Sequence, residues 1–423
     1  MKEKNILLVT VDSLRADHCG FINRESSLTP NLDEMASEGL VFENAIAPGP
    51  RTPSSMPVVF TGELNTPYTG GTQRWGPRKN HIARHLTRNI TIAESLKNQG
   101  YTTVGFSLNP WTQYTSFEKG FDHFVQLFGN EETSIDNSHS DFMFKYFGKI
   151  MEITNMDQQI SWENLQSWFL QWPQYYDLIQ ETMDSVEEPY FLWIFTLEPH
   201  QPYIPPKAYR VDNSSLQTYY AVFREYMSSD DSIPDHASEL LYHSYRDCVR
   251  SADALISRLH SDFGDNAFTV VHSDHGEAFG DHGTYGHEQD LFEENIHVPL
   301  IIHGIETDGR TGNLFPLKNL PELITDLNGI ECTSDVKKLS TDYVYSTIET
   351  GEKYSIRTER WKYINISQKQ YLYDLKNDPD EQNNIYEENR RTANELNDIG
   401  EKRHRHLKEK NEIQRAVDLV PEL

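Results

Sequence analysis

Ala267-Phe268-Thr269-Val270-Val271-His272-Ser273-Asp274-His275-Gly276-Glu277 is a short apolar, β-branched run that ends in a cluster of acid and imidazole side chains. Runs of this composition bounded by turn residues read as buried strands. In an open α/β sheet the ligand crevice lies outside the carboxyl ends of the strands. Asp274 and His275 therefore fall where a parallel sheet delivers a metal site, since carboxylate oxygen and imidazole nitrogen together suit a divalent cation. The loop beyond them carries His282 and His287. Taken alone, one Asp-His pair fits a polar strand end with satisfied histidines better than a metal site.

Two further strand ends change that balance. Asn5-Ile6-Leu7-Leu8-Val9-Thr10-Val11 is an apolar run that closes on Asp12. A lone Asp after a strand is usually a helix N-cap, but two strand-end acids far apart in sequence can converge on one cation. Tyr190-Phe191-Leu192-Trp193-Ile194-Phe195 leads into Thr196-Leu197-Glu198-Pro199-His200-Gln201-Pro202-Tyr203. Its prolines restrict the backbone and remove amide donors, so the segment is a rigid loop and not a helix start. A histidine held this way suits proton transfer or contact with an anionic ester.

Between these ends, strand and helix patterns alternate. Residues 31–39 read as a helix closed by Gly39, and residues 92–100 as a helix closed by Gly100 that leads into a strand at 102–106. Residues 239–259 read as a helix with one broad apolar face. Such alternation predicts a parallel-rich sheet with helices on both faces. Residues 126–188 differ, being rich in aromatic and polar side chains that include Trp162, Trp168, Trp172, Tyr175 and Tyr176. They read as an inserted helical region whose aromatics serve packing, with stacking on a sugar or acyl group as the alternative.

The order of these pieces resembles the sulfatase family of the alkaline phosphatase superfamily over nearly the whole chain. The matching stretches are Val11-Asp12-Ser13-Leu14-Arg15-Ala16-Asp17-His18, Thr29-Pro30-Asn31-Leu32-Asp33, Phe42-Glu43-Asn44-Ala45 and Thr61-Gly62. They continue with Pro199-His200-Gln201-Pro202-Tyr203, Ser273-Asp274-His275-Gly276-Glu277, the segment 292–300, Arg357-Thr358-Glu359-Arg360-Trp361-Lys362-Tyr363-Ile364 and Leu372-Tyr373-Asp374-Leu375. The resemblance implies an alkaline-phosphatase-like α/β core, mostly parallel and flanked by helices, over residues 1–318. It implies a smaller C-terminal antiparallel-sheet unit over 319–423. Strands are expected around 343–348, 355–357, 361–364 and 371–375, followed by a charged helix after Glu387.

The catalytic signature departs from the family pattern. Sulfatases carry a Cys or Ser that becomes formylglycine, within Cys/Ser-x-Pro-x-Arg, nine residues before a Thr-Gly. Counting back from Thr61-Gly62 reaches Thr52, followed by Pro53 one residue on and Met56 where the Arg belongs. Threonine does not oxidise to formylglycine, so that chemistry is not expected. Superfamily relatives that transfer phosphoryl-type groups use an unmodified Thr or Ser here, and a cation activates such a hydroxyl and neutralises charge on the ester. By resemblance, Asp12, Asp274 and His275 hold one divalent cation (Zn, Mn, Ca or Mg) with Thr52 completing its shell. His200 and His287 face the transferred group or protonate the leaving oxygen. Arg15 and Asn109 bind the ester, with Arg51 a further source of positive charge.

Composition bounds the remaining choices. The chain has 423 residues, with 65 acidic against 38 basic side chains and a formal net charge of -27. That excess argues against nucleic acid as a partner. The start Met1-Lys2-Glu3-Lys4 opens onto an apolar run needed as the first strand, and no stretch reaches the ~20 apolar residues of a membrane span. Cys19, Cys248 and Cys332 have neither zinc spacing nor a disulfide pattern. A cytoplasmic setting follows as the simplest, and Asn-x-Ser/Thr matches such as Asn213-Ser214-Ser215 read as chance. Three functions fit. One is a metal-dependent hydrolase or transferase acting on a phosphate or sulfate ester through Thr52, the ester being small and anionic, on a sugar or a lipid. Another is an ester-sulfate hydrolase using Thr52 or a water on the cation, and the third is a catalytically silent binding protein of the same fold.

Overall fold

A computed structural model describes residues 4–69, 75–127, 170–227, 233–287, 290–330, 333–366 and 369–418. Most of the expected insertion, including Trp162 and Trp168, lies outside them, as does Cys332. In chain order the main strands are β1 (Asn5–Val11), β2 (Leu40–Ile46), β3 (Thr102–Ser107), β4 (His123–Gln126), β5 (Tyr190–Thr196) and β6 (Ala267–Ser273). A small hairpin follows, β7 (Ala278–Phe279) and β8 (Tyr285–Gly286), then β9 (His297–Val298), β10 (Leu300–His303) and β11 (Gly309–Pro316). Nine strands form one sheet in the order β11-β2-β10-β6-β1-β5-β3-β4, with β9 also on β2. It is mostly parallel, with β9 and β10 reversed.

The period-2 alternation of the central strands explains why the sheet is covered on both faces. Ile6 and Leu8 of β1, Phe191, Trp193 and Phe195 of β5, and Phe268 and Val270 of β6 enter one hydrophobic core. Their neighbours Leu7, Val9 and Val11, Leu192 and Ile194, and Val271 enter a second core on the opposite face. The first core takes apolar side chains from the helices Thr52–Thr61, Trp75–Arg88, Ile92–Asn98 and Leu320–Thr325. The second takes them from Pro30–Ser37, Trp172–Met183, Ser215–Met227 and Asp235–Phe263. Tyr175 and Tyr176 are buried in that second core, so these two aromatics of the expected insertion serve packing.

Strand register sets the level of the strand ends. Val11 pairs with both Thr196 and Ser273, so β1, β5 and β6 finish side by side. Asp12, Leu197 and Asp274 consequently leave the sheet at one height. Two helix boundaries differ from expectation: the helix expected over 239–259 runs from Asp235 to Phe263, and the first helix ends at Ser37 with Glu38 as its cap. Gly39 instead serves close approach, because a Cβ there would lie 2.6 Å from the Ile302 carbonyl.

The C-terminal strands β12 (Tyr343–Thr347), β13 (Lys353–Thr358), β14 (Trp361–Ile366) and β15 (Lys369–Asp374) form an antiparallel sheet. The helix Arg390–Asp418 packs on it through Ala393, Leu396 and Leu407. A buried charge cluster joins this sheet to the rest. Lys362, with no exposed surface, places Nζ 2.9 Å from Glu293 and 3.0 Å from Glu381. The following residue, Glu294, accepts the Glu277 amide, so the cluster adjoins the segment after Asp274-His275. Removing one partner of a buried ion pair strands the other charges in low dielectric. Lys362→Met is therefore expected to destabilise the fold by about 3–5 kcal/mol. Urea unfolding measures this; a loss below ~1 kcal/mol would show the cluster to be solvated.

Candidate active site

Thr52 is the first residue of the helix Thr52–Thr61, and Gly62 caps its C-terminus in the left-handed conformation at φ 75°. The nine-residue spacing between Thr52 and Thr61-Gly62 is therefore the length of one helix. The helix N-terminus presents the positive end of the helix dipole, which favours negative charge nearby, although the Ser54 and Ser55 amides are already taken by the Arg51 carbonyl. Pro53 fits the first turn, where an amide hydrogen would have no helical acceptor. Its apolar side chains Met56, Val59 and Phe60 anchor the helix in the core.

The Thr52 hydroxyl, 4% exposed as a residue, sits 3.5 Å from Asp12 Oδ2 and 3.3 Å from His275 Nε2. Asp12, Asp274 and His275 are fully buried, and one donor atom from each lies within 4.8 Å of the others. His275 Nε2 is 3.4 Å from Asp12 and 3.5 Å from Asp274. Ser13, at φ 64°, follows Asp12 directly. Its amide reaches Asp274 Oδ1 at 3.4 Å and its hydroxyl donates to Asp12 at 3.1 Å. That backbone is costly for a side-chain-bearing residue, and the Tyr245 hydroxyl holds it by donating to the Ser13 carbonyl at 2.9 Å. Ser55 donates to the Asp274 carbonyl at 2.7 Å, tying the Thr52 helix to β6.

These groups fit a divalent cation. Asp274 Oδ2 is buried without a hydrogen-bond partner, which is costly for a carboxylate. Burial, and then the neighbouring Asp12, push the Asp274 carboxyl well above its ordinary range. Burial also works against ionised Asp12, yet His200, His275, His287 and the Asn109 amide outweigh it and hold that carboxyl low. Two buried carboxylates with one stranded oxygen need a positive charge between them. His275 offers a bare nitrogen there. Its Nδ1 lies 2.9 Å from the Gly276 carbonyl, which can only accept, so the proton resides on Nδ1 and the Nε2 lone pair faces the acids. Burial, then His287, lower the His275 imidazole to about 4, favouring the neutral ligand form.

His200 and His287 join the cluster, with ring centroids 4.9 Å apart and His287 4.7 Å from His275. His200 Nδ1 is 2.7 Å from the Gln201 carbonyl and His287 Nδ1 is 2.9 Å from Glu277. Each ring is thus oriented through Nδ1 by an oxygen acceptor. Burial, then His200 and Arg51, lower His287 well below the usual imidazole range. Glu277 went without a role in the sequence reading, because nothing local in sequence marks a carboxylate that orients a ring ten residues away.

Asn109 also reaches the cluster, although not as a free ester donor. Its amide donates to Asp12 Oδ2 at 2.7 Å and lies 3.4 Å from the Thr52 hydroxyl, while its own oxygen caps the next helix at Trp111. Arg15, expected to bind the ester, has its guanidinium engaged by protein groups. Its guanidinium is held by Asp17 at 2.7 Å, by Asp281 at 3.1 Å and by the Glu277 carbonyl, so its charge is already neutralised. The charge of Arg51 helps hold the His287 imidazole low. His282, the other histidine of this loop, lies apart from the cluster. It pairs with Glu294 at 2.7 Å and stacks on Phe292 with centroids 3.7 Å apart, a packing role in the loop. Glu198 turns away to the Ser251 hydroxyl and the Trp172 amide, and Asn213 is buried against Leu240 and Ser244.

The chain and its fold have relatives among known proteins. The chain is 25% identical to an arylsulfatase of Clostridium perfringens over 443 aligned residues, covering 90% of each chain. It is 23% identical to the Escherichia coli sulfatase YidJ, covering 92% of this chain and 84% of that one. Among solved structures, a phosphonate monoester hydrolase of Agrobacterium radiobacter superimposes with a TM-score of 0.64 at 17% identity, covering 96% of both chains. A protein solved in complex with its substrate D-glucosamine-2-N,6-O-disulfate gives 0.64 at 17% identity, covering 96% of this chain and 99% of that one. No described helix is long and apolar enough to cross a membrane. The family profile described as Sulfatase matches residues 4–313, and the chain belongs to the sulfatase family.

Proposed function

We propose that this chain hydrolyses or transfers a sulfate or phosphate ester with Thr52 as the attacking group and a divalent cation held by Asp12, Asp274 and His275. The observation that carries the reading is the placement of a buried threonine hydroxyl at a helix N-terminus, 3.5 Å from Asp12 and 3.3 Å from His275. When bound, the cation lowers the hydroxyl pKa and offsets charge on the ester oxygens. Thr52 is β-branched and stiff at χ1, which fixes the direction of its oxygen. The Asn109 amide, between Thr52 and Asp12, holds both oxygens in place. His200 or His287 takes or returns the proton exchanged between Thr52 and the leaving oxygen.

A related fold bound to a sulfated glucosamine supports a small anionic ester on a sugar as the substrate class. Turnover of a sulfate monoester, a phosphate monoester and a phosphodiester, each with zinc, manganese, calcium or magnesium added, tests the reading. Metal-dependent turnover of at least one ester is expected, and inactivity on all of them with a fully loaded site favours the silent binding protein.

His200 and His287 stand outside the proposed ligand set, so His200→Ala and His287→Ala should keep the cation and slow turnover by ~10²–10⁴-fold each. Elemental analysis beside steady-state kinetics measures both quantities. Loss of the cation in His200→Ala would make that ring a ligand.

A further inference from the structure

The loop that carries His287 is held from outside the cluster, and one of its anchors belongs to the C-terminal unit. His282, in the turn between β7 and β8, has both ring nitrogens engaged. Nδ1 lies 2.7 Å from Glu294 Oε1, and Nε2 lies 3.1 Å from the Glu381 carbonyl. The ring is stacked on Phe292 with the two planes 3° apart. A carboxylate and a carbonyl only accept hydrogen bonds, so a doubly protonated ring is the form that satisfies both. Burial opposes that charge, but Glu294 and then Glu381 outweigh it and raise the imidazole above its ordinary range.

The surroundings call for the same charge. Among the described residues, the carboxyls of Glu293, Glu294 and Glu381 meet here, against Lys362 of β14 and Arg357 of β13. His297, 3.9 Å from Glu293, is held by burial below the usual imidazole range, and burial raises the Tyr373 phenol of β15. Asp281, next to His282 in the chain, is paired with Arg15. A protonated His282 therefore supplies the third positive charge against three carboxylates. Burial, opposed by Lys362, lifts the Glu381 carboxyl to about 7, so the demand for that charge is greatest above neutrality. Glu381 has a left-handed backbone at φ 53°, costly for a residue with a side chain. From it the carbonyl reaches His282 and the carboxylate takes the Glu293 amide at 2.6 Å.

This clamp reaches the cluster by two routes. The Glu294 carbonyl accepts the Glu277 amide at 3.0 Å, and a Cβ on Gly276 would lie only 2.0 Å from that carbonyl. Beside it, the Asn295 amide donates to the Gly286 carbonyl at 3.4 Å. Glu277 orients the His287 ring and Gly286 precedes it in the chain, so both supports of that ring rest on the segment that holds His282. We propose that His282 is a positioning residue: as an imidazolium joined to Glu294 and Glu381, it fixes the loop that presents His287 to the ester. The proposal rests on the reading that His287 handles the proton of the ester reaction. Because the folded-state pKa is raised, the clamp is complete below the ordinary value of ~6.5 and is lost as pH rises through the raised one.

NMR of the full chain labelled with ¹⁵N in its histidines, with the signal assigned through His282→Gln, reads this ring directly. Its midpoint should lie above ~6.5, with both ring nitrogens protonated below it. In the unmodified chain, hydrogen exchange in residues 278–287 should quicken relative to β1 as pH passes that midpoint. Glu294→Gln keeps the size and an acceptor oxygen but removes the charge. It should lower the midpoint, quicken exchange in the same loop at neutral pH, and reduce kcat by ~10–10²-fold with KM little changed, as for a displaced reacting group. The alkaline fall in kcat should begin at lower pH in that variant than in the parent. A midpoint at or below ~6.5, or parental kcat and parental loop exchange in Glu294→Gln, overturns the proposal. Inactivity of the parent on every ester would count against the ester chemistry alone, and the ring titration and loop exchange would still decide the clamp.

Discussion

Replacing Thr52 with Ala should abolish turnover, by on the order of 10⁴-fold or more, while the cation stays bound. The attacking oxygen is removed, but Asp12, Asp274 and His275 remain as the donor cluster. Thr52→Ser keeps the oxygen and should retain part of the rate; the loss that remains reports the freedom the serine gains at χ1. A covalent sulfo- or phospho-threonine forms when Thr52 Oγ1 bonds to the sulfur or phosphorus and the alkoxide leaves, taking a proton. Mass spectrometry of acid-quenched enzyme should find that added group on the peptide containing Thr52. A full rate in Thr52→Ala would assign the attack to water and remove the covalent step. The helix itself should survive the change, because its cap at Gly62 and its core contacts through Met56 and Phe60 do not involve the hydroxyl.

Asp274→Asn should empty the proposed metal site and slow turnover by about 10³-fold or more, since a cation contributes several kcal/mol to neutralising the transition state and each 1.4 kcal/mol is tenfold. The same change relieves a conflict when no cation is present. Asp274 Oδ2 has no hydrogen-bond partner and faces the charge of Asp12. The metal-stripped variant should therefore be at least as stable to urea as the metal-stripped parent, although the parent gains stability on adding the cation and the variant does not. Elemental analysis and unfolding with and without chelator measure both effects. Full metal occupancy in Asp274→Asn would falsify the ligand assignment. A variant that is less stable than the parent under chelation would recast Asp274 as a structural acid.

The main sheet and its sidedness were legible in the sequence because they depend on local pattern. The runs leading to Asp12, Thr196 and Ser273 are short, rich in apolar and β-branched residues and buried at every position, as near-continuous apolar strands covered on both faces are, and each appears where expected. The antiparallel C-terminal sheet was expected from the family resemblance, and its strands lie in the stretches named for it. The family, too, could be read from motif order, and Thr52 stood out through its distance from Thr61-Gly62, a spacing that one helix imposes.

Pairings between side chains distant in sequence were settled only by the tertiary structure. Register places Val11 level with both Thr196 and Ser273, and this alone brings Asp12 beside Asp274. The sequence allowed Arg15 to face the ester, yet Asp17 and Asp281 claim its guanidinium. Of two histidines on one loop, His287 is oriented by Glu277 toward the cluster, whereas His282 is drawn to Glu294 and Phe292. Local pattern fixes which face a side chain takes, because backbone periodicity is a property of neighbouring residues. Which charge it meets there depends on elements hundreds of residues apart, and in the low dielectric of a buried site that partner decides whether a group is a ligand, a proton carrier or a brace.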